Sequence, residues 1–134
     1  MASAIATSLE CLVEKLGDPQ TQIYQHLYQQ HPEVRSLFVL DTDGGVRGAM
    51  LQTTLDTILD YATNNRLDHV SLGAWRSHHV GYEVGAELFT RFFVIIRDCT
   101  KDALGSDWTV DMETAWAELL RQVKASEADL LYEC

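Results

Sequence analysis

The 134-residue chain reads as an all-α protein, with six or seven helices. Apolar residues recur every three or four positions along most of its length and nowhere alternate at period two for long, the pattern of helices with one buried face. The breaks between those runs carry helix stop and start signals: Gly17 before Asp18-Pro19, His31-Pro32, Asn64-Asn65, and Gly105 ahead of Thr109. No internal repeat is present, so the helices are expected to form one domain over residues 1–134, large enough to bury roughly two thirds of its unfolded surface.

Taken in order, Ile5, Leu9, Leu12, Val13 and Leu16 make one apolar face of a helix that ends at Gly17. Asp18 caps a second helix whose first turn takes Pro19, where a missing N–H costs nothing. That helix runs to about Gln30 and carries Ile23, Tyr24, Leu27 and Tyr28. His31-Pro32 stops it, and Pro32 in a first-turn position makes the segment PEVRSLF, ending at Phe38, a single bent helical turn rather than a strand. The loop DTDGGVRG, residues 41–48, begins Asp-x-Asp, yet a calcium loop counted from Asp41 would need glycine at Val46 and glutamate at Gln52. It is therefore read as a turn that caps a helix. Met50, Leu51, Thr54, Leu55, Ile58, Leu59 and Ala62 then form one face of that helix, which closes at Asn64-Asn65. A histidine-bearing helix follows, with Gly81 and Gly85 marking a corner after it. Leu88, Phe89, Phe92, Ile95, Ile96, Cys99 and Ala103 mark a long buried helix ending near Gly105. The last helix starts with Thr109 as cap and carries Ala115, Trp116, Leu119, Leu120 and Val123, extending toward Leu130.

Ten basic against twenty acidic residues give a net charge of −10, which repels nucleic acid and anionic lipid, so neither is expected as a partner. The longest apolar stretch, Leu88 to Ile96, is broken by Thr90 and Arg91 and cannot span a membrane. The N-terminal MASAIATSLECLVEKLG lacks a basic start and meets Glu10 early, so it does not read as a secretion signal and a cytoplasmic location is expected. Cys11, Cys99 and Cys134, odd in number and widely spaced, exclude a disulfide framework and are expected to be reduced.

The stretch LGAWRSHHVGYEVGAELF, residues 72–89, holds the chemistry. Neighbouring helical residues point about 100° apart, so only one of His78 and His79 can address a group lying against that face. His79 is the better placed, with Trp75 and Val84 putting large apolar groups on either side of its ring. A neutral imidazole in an apolar wall suits iron, with a backbone carbonyl near Trp75 fixing the other ring nitrogen. The alternative at this point is a pair of partly exposed histidines at a helix end, where positive charge favours the dipole.

Four markers then act together: Tyr24 in the second helix, Pro32 and Phe38 after it, the motif H-V-G-Y-E-V from His79 to Val84, and Ala115-Trp116 in the last helix. With these markers the chain resembles the globin family over nearly its whole length, and bacterial single-domain globins and the globin domain of flavohaemoglobins in particular. The resemblance implies a globin fold enclosing haem b, with His79 as proximal iron ligand, Phe38 packed on the haem face and Tyr24 reaching into the distal pocket. An aromatic plate suits a flat π-system, and a buried Tyr24 needs a hydrogen-bond partner that a partly negative dioxygen would supply. The plain alternatives are core packing for Phe38 and a bond to some backbone carbonyl for Tyr24. Trp75, Val84 and Phe89 accompany His79, while Met50 and Thr54 face the haem from the distal helix; a slip of one residue would put Leu51 and Leu55 there instead. Arg47 and Arg76 are the cations best placed for the haem propionates, the alternative being two solvated surface arginines.

Two departures from the family pattern matter. No histidine lies in residues 43–62, so this helix cannot supply a second histidine to the iron. Flavohaemoglobins and their single-domain relatives place a tyrosine where this chain has Phe89, which weakens the electron push that favours O–O cleavage. No catalytic residue is assigned, and nitric oxide dioxygenase-like activity would require a separate reductase. Three functions remain open: reversible binding of dioxygen or another diatomic gas, a six-coordinate redox or gas-sensor haem closed by Met50, and a haem-free interaction module of the same fold. Monomer and homodimer are both open.

Overall fold

Most helices among the described residues end where the backbone chemistry of one or two residues forces them to. The computed structural model describes residues 3–38, 40–67 and 86–126. Helix α1 (Ser3–Leu16) closes on Gly17, whose φ of +69° is the left-handed conformation that glycine adopts without a Cβ clash, and whose N–H donates to the Val13 carbonyl at 2.8 Å. Asp18 accepts from the Gln20 amide at 3.0 Å and starts α2 (Gln20–Gln30), with Pro19 immediately ahead of the helix. The expected bent turn after it is a 3-10 segment, Pro32–Phe38. Helix α3 (Gly45–Asn64) ends on Asn65, which takes a positive φ of 56° and donates to the Tyr61 carbonyl at 2.7 Å. Helix α4 (Ala86–Leu104) ends at Gly105, and a 3-10 turn, Gly105–Asp107, leads to α5 (Val110–Ala125). There Thr109 caps as expected, its Oγ1 accepting from the Met112 amide at 3.1 Å.

The fold is all-α, and no strand occurs among the described residues. Helix α4 is the central element, with α1, α2 and α5 packed against it. Ile5 and Leu12 of α1, Ile23 of α2, Ile58 of α3, Phe93, Ile95 and Ile96 of α4, and Trp116, Leu119 and Val123 of α5 are sealed from solvent. One polar chain crosses this core: the Trp116 indole donates to Ser8 Oγ at 2.9 Å, and Ser8 Oγ donates to the Ile5 carbonyl at 2.6 Å. Cys99 is buried, which pushes its thiol pKa up to about 11, and both Cys11 and Cys99 are free thiols. No helix among the described residues is long and apolar enough to cross a membrane.

Two residues expected on buried faces are exposed. Val13 is 53% exposed and Leu59 is 39% exposed, and both border a groove between α1 and α3 that Leu9, Leu12, Pro19 and Leu55 also line. The apolar arc of each helix is wider than its neighbour covers, because the covered face of α3 runs through Leu51, Thr54, Ile58 and Tyr61. The expected histidine helix, the Gly81–Gly85 corner, Leu130 and Cys134 lie outside the described residues.

Candidate functional site

Where α2, the Pro32–Phe38 turn, α3 and α4 meet, they leave a pocket whose lining carries no charged side chain among the described residues. Tyr24 and Leu27 come from α2, Val34, Leu37 and Phe38 from the 3-10 turn, Met50 and Thr54 from α3, and Leu88, Phe89, Phe92 and Phe93 from α4. Five of the expected site residues, Tyr24, Phe38, Met50, Thr54 and Phe89, are thus brought together. Of the two registers open for α3, it is Met50 and Thr54 that line the pocket; Leu51 is buried in the core and Leu55 faces the α1–α3 groove.

Tyr24 stands at the centre of an aromatic cluster. Its ring meets Phe38 edge-on at 5.6 Å between centroids, Phe92 at 5.5 Å and Tyr28 at 6.1 Å. Burial, and then the neighbouring Tyr28, push its phenol pKa well above the usual value, so it stays protonated and can donate. It does donate, to the Arg47 carbonyl at 3.0 Å. Thr54 offers no competing proton, because its hydroxyl donates to the Met50 carbonyl one turn back at 2.8 Å.

Arg47 is held by Asp41, which is itself buried. Asp41 Oδ1 accepts from the Val46 amide at 3.0 Å, and Oδ2 accepts from both the amide and the Nε of Arg47 at 3.0 Å. The Arg47 Nη2 returns a bond to the Asp41 carbonyl at 2.9 Å. The Arg47 amide, then the Val46 amide and the guanidinium, hold the Asp41 carboxyl below the usual range in spite of its burial. This is the helix-capping turn expected from residues 41–48, built on the free amides that open α3. Gln20 fastens the same turn to α2 by donating to the Gly44 carbonyl at 3.1 Å. Gly44 has a φ of +77°, and a Cβ there would come within 3.1 Å of the Gln20 amide nitrogen.

His79, with Trp75, Arg76, His78 and Val84, lies outside the described residues. Among the described residues no three His, Cys, Asp or Glu side chains converge on a point. The pocket's chemistry fits the face of a flat apolar macrocycle, with Phe38, Phe89, Phe92 and Phe93 as aromatic walls and the buried hydroxyls of Tyr24 and Thr54 as its described polar groups. The cavity among these side chains is about 50 Å³, above the roughly 10–15 Å³ that seats one water-sized molecule and so room for a diatomic one. A macrocycle seated against Phe38 would displace side chains at that rim, where Phe38 and Met50 are both only partly buried.

Sequence reasoning missed three kinds of residue. Leu27 lies one turn after Tyr24, and Phe92 and Phe93 one turn after Phe89, so same-face spacing would have found them; Phe92 was read only as core. Leu88, four residues after Val84, carried the same signal, and Leu37 carried none. Asp41 was read only as part of a loop, and its role shows only once its bonds to Val46 and Arg47 are seen.

Two comparisons with known proteins bear on the site. The family model described as Globin matches residues 21–126, from the start of α2 through the end of α5. No curated protein matches the chain.

Proposed function

The chain belongs to the globin family, and on that premise we propose that it is a haem protein that reversibly binds dioxygen or another diatomic gas, as bacterial single-domain globins do. Haem b, when bound, supplies the iron site for the gas and would take His79 as its protein ligand. Phe38 would lie against its face, Met50, Thr54 and Phe89 would line its pocket with Trp75 and Val84, and Tyr24 would be the hydrogen-bond donor to the gas. The observation that carries this reading is the buried, protonated hydroxyl of Tyr24 at a pocket whose described lining is otherwise apolar except for Thr54; both hydroxyls donate to backbone carbonyls, and that of Tyr24 is the one a ligand would compete for. A partly negative dioxygen is the kind of ligand that such a donor favours. Arg47 is occupied by Asp41, which leaves Arg76 the better candidate for a propionate partner. On this reading the protein is a binder, and turnover of nitric oxide would draw electrons from a separate reductase in the cytoplasm.

A second reading has one observation in its favour. Met50 lines the pocket, and its thioether is a soft group that can serve as a sixth iron ligand in a redox or sensor protein. Ferrous absorption spectra separate the two readings by the coordination number of the iron. His79→Ala should sharply lower haem retention, followed by the Soret band through gel filtration, while His78→Ala should leave haem largely bound. The reverse result would move the ligand to His78, and a protein that takes up no haem would sink both readings in favour of a haem-free module.

A further inference from the structure

The hydroxyl of Tyr24 has one hydrogen to give, and in the described arrangement it lies on the Arg47 carbonyl, 3.0 Å away. It can serve a ligand in the pocket only after leaving that carbonyl. The carbonyl belongs to the first turn of α3, and that turn is fixed by Asp41, whose two carboxylate oxygens take the Val46 amide, the Arg47 amide and the Arg47 Nε. The bond from Arg47 Nη2 to the Asp41 carbonyl closes a ring of contacts between the two residues.

On the gas-binding reading above, we infer that Asp41 is a positioning residue of the pocket: by clamping Arg47 it keeps the Tyr24 hydroxyl latched to the Arg47 carbonyl. The latch weakens the hold of Tyr24 on any ligand that must draw the hydroxyl away, and so lowers the preference for such a ligand over an apolar one. A ligand with negative charge on its outer atom draws the hydroxyl away from a neutral carbonyl, whereas a nearly apolar ligand leaves the latch shut. The clamp can be opened without parting the helices, because Gln20 ties α2 to the Gly44 carbonyl by a separate bond.

The test uses the full haem-loaded chain carrying Asp41→Asn, and in parallel Asp41→Ser. Asparagine keeps one of the two acceptor oxygens, and serine, a shorter side chain with a single oxygen, keeps neither carboxylate oxygen that takes the two amides and the guanidinium. Dioxygen release, followed by stopped flow, should slow by about two- to tenfold in both variants, the weight of one neutral hydrogen bond removed from the competition. Carbon monoxide release should not move, and the dioxygen shift should vanish when either variant is combined with Tyr24→Phe. Independently of any gas, hydrogen exchange at the Val46 and Arg47 amides should quicken in both variants. Unchanged exchange, an unchanged or faster dioxygen release, or a shift that persists beside Tyr24→Phe would each overturn the clamp. If Tyr24→Phe alone left dioxygen release unaltered, the donor role of Tyr24 would itself be wrong and the clamp would fall with it.

Discussion

On the gas-binding reading, Tyr24 would sit between two claims on one proton. A bond to a neutral carbonyl contributes about 0.5–1.5 kcal/mol, while one to a charged acceptor contributes about 1.5–3 kcal/mol. Leaving the Arg47 carbonyl for dioxygen therefore gains only the difference, on the order of 1 kcal/mol, roughly a fivefold change in rate. Tyr24→Phe should accordingly speed dioxygen release by about five- to tenfold, a smaller effect than an unengaged hydroxyl would give, and leave carbon monoxide release nearly unchanged. Stopped-flow rates for both gases decide it, and equal effects would reduce Tyr24 to a packing residue. Asp41 carries a pH dependence whose sign follows from its lowered pKa. A carboxyl depressed in the folded state adds stability that is full above the ordinary aspartate value near 3.9 and is lost as pH falls through the folded-state value. Urea unfolding at pH 7 and at pH 3 should show the parent losing more stability between the two than Asp41→Asn, which has no carboxylate to protonate there. Parallel losses would place the acid sensitivity elsewhere.

Helix ends obey local rules, and those were the parts of the elements most legible in the sequence. Gly17, Asn65 and Gly105 stop helices because each takes a left-handed φ close to its own peptide, and Thr109 starts one because its side chain reaches an amide three residues on. Nothing distant is needed to read them. The faces of the helices were less legible, since which part of an apolar arc is covered depends on where the neighbour sits: Val13 and Leu59 continue the right period but protrude beside the α1–α3 groove. The same dependence left the Met50 and Leu51 registers of α3 open until the position of α2 and the 3-10 turn placed Met50 on the pocket. Asp41 was illegible as a cap because it reaches the Val46 and Arg47 amides across a turn instead of from the position next to the helix. The local rule can be checked at α5. Thr109→Ala should cost about 1 kcal/mol in chemical unfolding and Thr109→Ser much less, because serine keeps the oxygen that accepts from Met112. A full loss with serine would mean that the threonine methyl, not the cap, is what α5 needs.

Across the whole molecule, the family match begins at residue 21, yet α1 before it is built into the same core. Its tie to α5 is the bond from the Trp116 indole to Ser8, both residues fully buried, and the Lys15–Asp107 pair at 3.0 Å adds little because both side chains are well exposed. Helix α4 lies against both α1 and α5 while its Phe89, Phe92 and Phe93 line the pocket, so the docking of α1 bears on that wall of the pocket. The fold class was legible because periodicity survives any arrangement of helices, whereas the Ser8–Trp116 bond, closing 108 residues of chain, follows from no local pattern. Ser8→Ala would leave the indole N–H buried without its acceptor, at a cost of about 1–3 kcal/mol. In a Trp116→Phe background, where no N–H remains to be orphaned, the same substitution should cost much less. The double-mutant cycle is read by urea unfolding of the four proteins. A Ser8→Ala penalty of equal size in both backgrounds would show that α1 docks through Ile5, Leu9 and Leu12 alone and that the polar chain through the core adds no stability.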